Sequence, residues 1–413
     1  MQILDPPRGR RLPATFRSLH HRNFRLLWFG EMVSSSGDWT DKLAFNWLIY
    51  QMTGSAFYLA LINFLHSGPS LVLILVGGAV ADRMPRRRLM IMTQTVGMLM
   101  ALVLAILVST NLVQVWMVLV IALARGVTMS FNGPARHSLL PELVPREDLM
   151  NAIALNSATI NLTKTIGPAI AGILIATVGV AGAFYFNAAS YVAVLYGLAL
   201  MRFVERPRKA VRTSVFADVV GGARYLHSQP ILWMLVLLFL LPSVFGGPYV
   251  MMLAVFAKDV LDVGPIGMGF LTAAASCGAV IGALFVAGRS RGGGRRGWVV
   301  LLCLMAYGVA LGLFAYSHWF WLSLVALVAV GSCQQAYEAT NNSLVQEHVH
   351  DEYRGRVLST MLLNRGLVPL GAIVVGLGTE VIGVQITMGA MAAIVVLIAL
   401  VSARFAPVVR WLQ

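Results

Sequence analysis

The stretch Leu71-Val-Leu-Ile-Leu-Val-Gly-Gly-Ala-Val-Ala-Asp82-Arg83-Met-Pro85-Arg86-Arg87-Arg88 runs from an apolar segment into one acid and four arginines. An apolar run that stops at a cluster of charge is the pattern of a chain leaving a hydrocarbon core. Such a core is about 30 Å thick, and about 20 residues of helix cross it. Similar runs recur across all 413 residues, of which 58% are apolar and 12% charged, with a mean hydropathy of +0.78. A soluble chain of this length needs far more charge to cover its surface. Inside a bilayer each backbone amide must be satisfied within its own segment, so these runs read as helices. Spans are expected at 24–50, 57–81, 88–109, 114–135, 150–178, 182–202, 231–257, 267–288, 298–316, 319–341, 357–380 and 384–404.

The basic residues give the spans a direction. Of 31 Lys and Arg, 26 fall in the N-terminal tail, in alternate loops and at the C-terminal end, while the opposite loops hold only Lys258. Loops rich in Lys and Arg stay in the cytoplasm, so both termini are expected there. The net charge of +14 is therefore spent on orientation, and nucleic acid is not an expected partner. The basic start of the chain is read as a retained tail, since no short apolar segment with a small-residue cleavage site follows it. The expected organisation is a cytoplasmic tail at 1–23, a six-helix bundle at 24–202, a cytoplasmic linker at 203–230, a second six-helix bundle at 231–404 and a tail at 405–413. In the linker Val215, Val219, Ala223 and Leu226 recur at helical spacing beside Arg212 and Arg224. That pattern suits either an amphipathic helix on the membrane surface or a solvated connection.

The two halves match at an offset of about 205 residues. Ser138-Leu-Leu-Pro-Glu-Leu-Val-Pro145 aligns with Ser343-Leu-Val-Gln-Glu-His-Val-His350, and Gly77 with Gly282. With a short gap, Lys164 and Pro168 align with Arg365 and Pro369. Parallel repeats of six spans place a substrate between the halves near the midplane.

Charges inside spans mark the candidate site, because a lipid-facing charge at mid-bilayer costs at least about 2.5–3.5 kcal/mol. In the first span Glu31, Asp38, Asp41 and Lys42 share one face. Asp38, nearest mid-span, is the first candidate for proton coupling, with Glu338 and Glu31 behind it. A carboxylate pulled one way by burial and the other by basic neighbours can release a proton as substrate arrives. The competing reading is a permanent ion pair holding span one in place. Further cavity candidates are Asp41, Lys42, Arg125, Asn156, Asn161, Lys164, Gln334, Asn341 and Arg365. Trp39, Tyr249 and Tyr337 are candidates for stacking on an aromatic substrate, or else for plain packing. Histidines lack metal-ligand spacing, and Cys277, Cys303 and Cys333 fall inside apolar runs where no disulfide framework is expected. Gly292-Gly-Gly294 follows no strand and lacks the lysine of a phosphate loop. No enzyme, metal or cofactor is expected, and energy must come from an ion gradient or from the substrate's own.

Gly78-Ala-Val-Ala-Asp82-Arg83-Met-Pro85-Arg86-Arg87-Arg88 resembles the loop between spans two and three of the major facilitator superfamily, with Pro85 at a position that is usually Gly. Gly167-Pro168-Ala-Ile-Ala-Gly172 is similar to the antiporter motif of its drug-efflux branches. Leu140-Pro141-Glu-Leu-Val144-Pro145, Asn151-Ala152, Asn156 and Asn161 resemble the subgroup of enterobactin exporters and macrolide efflux pumps. The resemblance covers essentially the whole chain. It implies an all-α membrane protein of twelve transmembrane helices in two pseudo-symmetric bundles. It also implies a gating role for Gly78, Asp82, Arg83, Arg86 and Arg87. The second half's counterpart, Gly288-Arg-Ser-Arg-Gly-Gly-Gly-Arg-Arg296, lacks the acid. The expected function is proton-coupled efflux of a hydrophobic or aromatic small molecule, a siderophore or drug, by a monomer in the bacterial inner membrane. The alternative is an importer or facilitator of a nutrient or lysophospholipid on the same scaffold.

Overall fold

The computed structural model describes residues 14–70, 84–202, 224–289, 295–350 and 364–405, with isolated positions between them. Gly78, Asp82 and Arg83, most of the 203–230 linker and the two extreme tails lie outside the described residues, as does the side chain of Arg365. The described residues are helical throughout, with no strand among them. In chain order the helices are α1 (Arg22–Thr53), α2 (Ala56–Ser67), α3 (Arg86–Ser109), α4 (Val115–Leu139), α5 (Leu149–Leu200), α6 (Pro230–Gly246) and α7 (Tyr249–Val255). There follow α8 (Gly264–Arg289), α9 (Arg296–Ala315), α10 (Phe320–His348), α11 (Asn364–Ile382) and α12 (Val384–Phe405). Eight helical segments among the described residues are long and apolar enough to cross a membrane. The charges of α1 keep it out of that set, although it is 32 residues long.

α5 is 52 residues long, about 78 Å at 1.5 Å per residue, and it does not run straight. Gly179 adopts φ +76° and ψ 175°, a conformation open to glycine because it has no Cβ, and the chain folds back there. The two ends of α5 consequently meet the same end of α1. Trp28 Nε1 donates to the Leu155 carbonyl at 3.3 Å, and Arg22 Nη2 to the Leu200 carbonyl at 3.3 Å. The outgoing arm carries Gly167 and Pro168, and the returning arm carries Asn187 and Tyr191.

Outward faces are apolar, as a surface facing lipid requires. Met92, Leu99, Leu284, Leu313 and Val325 are all exposed, and Trp116, Trp319 and Trp321 stand exposed at the starts of α4 and α10, where amphipathic rings suit the interface. Inward faces pack through small residues, which let backbones approach closely where no hydrophobic force draws helices together. α5 meets α8 at Gly172 and Gly269: a Cβ added to Gly269 would lie 2.6 Å from the Pro168 carbonyl oxygen and 3.1 Å from the Gly172 Cα. α2 meets α11 at Gly376, where a Cβ would lie 2.8 Å from that of Ala60.

Both contacts join the first half of the chain to the second, and both lie toward the end of the bundle away from Arg22. Two polar links sit at that same end. The Tyr50 hydroxyl donates to Asp259, carried on a π-helical turn at Phe256–Val260. Glu380 accepts from the Ser55 hydroxyl at 2.6 Å and the Phe57 amide at 3.2 Å.

Gly269→Ala should force α5 and α8 apart at a cost of about 1–3 kcal/mol and lower Tm in detergent. Gly288→Ala, which meets nothing within 4 Å, should leave Tm unchanged or slightly raised. Equal melting of the two variants would contradict the close contact.

Candidate functional site

The first-span stripe is held by partners from α4 and α5. Arg125, 3% exposed, is an isolated guanidinium deep in α4 and needs anionic partners to sit there. α1 supplies them. Arg125 Nη1 pairs with Asp41 Oδ2, and Nη2 lies 3.5 Å from Asp38 Oδ1. The returning arm of α5 completes the cluster. Arg125 Nη2 donates to the Tyr191 hydroxyl at 3.0 Å, Tyr191 donates to Asp38 Oδ1 at 2.7 Å, and Asn187 Nδ2 donates to Asp41 Oδ1 at 2.8 Å. Gly37 makes this approach possible, since a Cβ there would overlap the Ser190 hydroxyl.

The two aspartates differ in access. The Asp41 side chain is 2% exposed and that of Asp38 30%, so only Asp38 can trade a proton with solvent without opening the bundle. Beside Arg125 and Tyr191, Thr93, Gln94 and Asn132 border a void of about 10 Å³, the lower limit for a single water. Nearer the Arg22 end, Arg136 donates to Glu31 Oε2 at 2.8 Å, and the buried Glu31 Oε1 has no hydrogen-bond partner.

Two neighbouring cavities lie between the halves. The inner one, about 260 Å³, is bordered by Trp39, Lys42 and Lys164 from the first half and by Tyr249, Gln334 and Glu338 from the second. Glu338 Oε1 accepts from Gln334 Nε2 at 3.0 Å. Lys42 Nζ lies 5.1 Å from the Trp39 ring centroid. The wider one, about 640 Å³, shares Lys42, Met251 and Val368 with it and extends toward Arg136, His137 and Asn364. Among the described residues neither Lys42 nor Lys164 forms an ion pair, and the two lysines and Glu338 border the same inner cavity.

The remaining expected residues are dispersed. Asn156 is half-buried, and the exposed Asn161 donates to its own helix at the Ser157 carbonyl; neither borders these cavities. Asn341 is buried and donates to the Leu235 carbonyl at 2.9 Å, tying α10 to α6. Tyr337 is buried, with its ring stacked on Tyr307 at 5.9 Å. Gly167 backs against Trp39, whose Cβ a methyl there would meet at 2.7 Å. Pro168 and Gly172 lie in the α5–α8 contact. Arg86 pairs with Glu142 and donates to the Ser138 carbonyl at 3.1 Å; Arg87 donates to the Ala199 carbonyl at 2.9 Å. The pairing recurs in the second half, where Arg296 binds Glu347. Arg86 and Arg296 each open a helix, and Glu142 and Glu347 occupy matching places in the aligned motifs.

Sequence reasoning missed Asn187, Tyr191, Tyr50, Asp259 and Glu380. The signal for the first two was present: Asn187, Ser190 and Tyr191 form a polar step in an otherwise apolar run, and a buried arginine implies such a step somewhere.

A helical bundle with small-residue contacts at one end, charged pairs inside and a polar cavity between its halves is a membrane transporter of the major facilitator type. The chain belongs to the transmembrane secretion effector family of that superfamily, whose model matches residues 13–411. It is 29% identical to the multidrug efflux pump Tap of Mycolicibacterium fortuitum, over 94% of this chain and 96% of that protein. It is 26% identical to the staphyloferrin A transporter of Staphylococcus aureus, over 86% and 89% respectively. It is 28% identical to the enterobactin exporter EntS of Shigella boydii, over 82% and 80%. Its fold is that of a POT family transporter solved with a thioalcohol-conjugated peptide, with TM-score 0.74 at 12% identity over 96% of this chain and 99% of that one. The nucleoside transporter NupG shares the fold too, with TM-score 0.70 at 16% identity over 93% and 98%.

Arg125→Met strands Asp41 and should cost about 3–5 kcal/mol, read as a loss of Tm and of monodisperse protein. Arg125→Met combined with Asp41→Asn should recover most of that loss. A double variant no more stable than the single one would show that the pair is not the source.

Proposed function

We propose that this chain exports a small anionic or aromatic molecule across the bacterial inner membrane by alternating access, driven by proton entry. The protein acts as a monomer of twelve spans, six per half, with both termini in the cytoplasm and the 203–230 segment joining the halves on that side. Siderophore and drug transport by Tap, EntS and the staphyloferrin A transporter supports the substrate class. The charge of the cavity narrows it. With Lys42 and Lys164 opposite Glu338, the site complements a carboxylate or phenolate better than a cation. Trp39 and Tyr249 border the same space and offer ring faces to an aromatic group.

The observation that carries the reading is the Arg125 network. Arg125 is shared by a sealed carboxylate, Asp41, and an accessible one, Asp38, with Tyr191 bridging Arg125 and Asp38. When a proton neutralises Asp38, Arg125 turns its charge to Asp41 alone, and α1 is free to move against α5. The cavity lysines sit on those same two helices, Lys42 on α1 one residue from Asp41 and Lys164 on the outgoing arm of α5. A proton on Asp38 and an anion between the lysines thus act on one joint. The links at Gly172–Gly269, Gly376–Ala60, Tyr50–Asp259 and Ser55–Glu380 close the outward side in this state, so substrate enters from the cytoplasm through the wider cavity. Glu31, held by Arg136 near the cytoplasmic end, serves as a secondary proton carrier, and Glu338 orients the substrate. Arg86 and Arg87 brace the inner side of the first half and, with Gly78, Asp82 and Arg83, serve as the gating loop that the family resemblance implies.

Asp38→Asn should abolish efflux driven by a pH gradient in proteoliposomes while leaving substrate binding and counterflow within about threefold of wild type. Glu338→Gln should keep the proton coupling and weaken binding instead. Efflux at the wild-type rate in Asp38→Asn would remove the coupling assignment, and net uptake driven by inward protons would favour an importer.

A further inference from the structure

The Arg–Glu pairing common to the two halves is built differently in each. In the first half it is enclosed: the Arg86 side chain is 7% exposed and that of Glu142 25%. In the second half the corresponding values are 32% for Arg296 and 46% for Glu347, and the pair opens into a groove of about 500 Å³ between α8, α9 and α10. This groove is remote from the cavities between the halves and shares no lining residue with them.

One end of the groove is cationic. Arg289, Arg295 and Arg296 border it against the single carboxylate of Glu347. Arg289 is exposed, lies 5.1 Å from the centroid of the Phe285 ring and forms no ion pair among the described residues. The other end is apolar and faces outward: Phe285 is 46% and Leu302 55% exposed, with Val286 and Val299 between them. Trp298, half-buried, stands at the junction. Cationic groups at the mouth, an indole at the boundary and an open apolar slot running up the lipid-facing side match one kind of molecule in charge and in shape. That molecule has an anionic head at the membrane surface and a hydrocarbon tail in the core.

We propose that this groove binds one anionic phospholipid from the surrounding leaflet. The phosphate sits on Arg289 and Arg296, and an acyl chain lies along Phe285, Val299 and Leu302. The lipid occupies in the second half the place that packed side chains fill around Arg86 and Glu142. Its phosphate competes with Glu347 for Arg296, so the grip of α9 on α10 depends on the lipid. The inference is independent of what the transporter carries.

The test uses the full chain in mixed micelles of phosphatidylglycerol and phosphatidylcholine, with retained lipid counted by native mass spectrometry. Arg289→Gln is the first variant, since Arg289 has no acidic partner to strand. Wild type should retain one phosphatidylglycerol per chain in preference to phosphatidylcholine, and Arg289→Gln should weaken that retention about tenfold. Leu302→Arg, which blocks the tail slot and leaves the headgroup arginines in place, should weaken it as well. Equal retention in wild type and Arg289→Gln would overturn the proposal, as would equal retention of the two lipids. Displacement of the lipid by millimolar inorganic phosphate, with Leu302→Arg unaffected, would make this a free-anion site and overturn it too.

Discussion

A guanidinium cannot remain in the middle of a bilayer protein unless anionic groups meet it there, and much of the first half is arranged around that demand. Arg125 sits on α4, and its partners come from α1 and from the returning arm of α5. For these to converge, α5 must reverse at Gly179, and α1 must pass close enough to α5 that Gly37 nearly touches Ser190. The requirement to neutralise one charge therefore brings three helices together, and α1 carries the consequences down its length. The same helix holds Glu31 toward Arg136 at one end, and Lys42 and Trp39 toward the second half at mid-length. At the far end it presents Tyr50 to Asp259.

The all-helical membrane character was plain in the sequence because it rests on apolar runs long enough to cross a bilayer, a one-dimensional property. The charged stripe of α1 was legible for a similar reason: unpaired charge is excluded from hydrocarbon, so Glu31, Asp38, Asp41 and Lys42 could only face inward. What they would meet was not legible. The sequence implied basic neighbours for Asp38 without assigning one; the chain brings Arg125, 87 residues along from Asp38, and the bridging Tyr191. Partner choice depends on how helices rotate against one another, and small residues such as Gly37 and Gly167 set that rotation through contacts that have no period. For the same reason Asn161 and Asn341, polar and on the expected spans, bond to their own helix and to α6 respectively. Polarity shows that a side chain needs a partner without showing which direction the partner lies in.

The two halves use matching residues for different purposes. Arg86 with Glu142 and Arg296 with Glu347 fall at equivalent points of an aligned motif, yet one pair is enclosed and the other opens into a groove. The buried charge cluster likewise belongs to the first half, while the second contributes the cavity's Glu338, Gln334 and Tyr249. The first half thus holds the buried charge cluster together with Trp39, Lys42 and Lys164 of the cavity wall, and the second supplies the facing side chains. They meet through α5–α8 and α2–α11, where glycine permits close backbone contact.

The central claim is that Asp38 carries an exchangeable proton because Arg125 can shift its charge to Asp41. Substrate-induced proton release from purified protein in weakly buffered detergent, followed with a pH indicator, measures this directly. About one proton per chain should appear on adding an anionic catechol substrate to wild type, and none to Asp38→Asn. Undiminished release from Asp38→Asn that still binds the substrate would contradict the account.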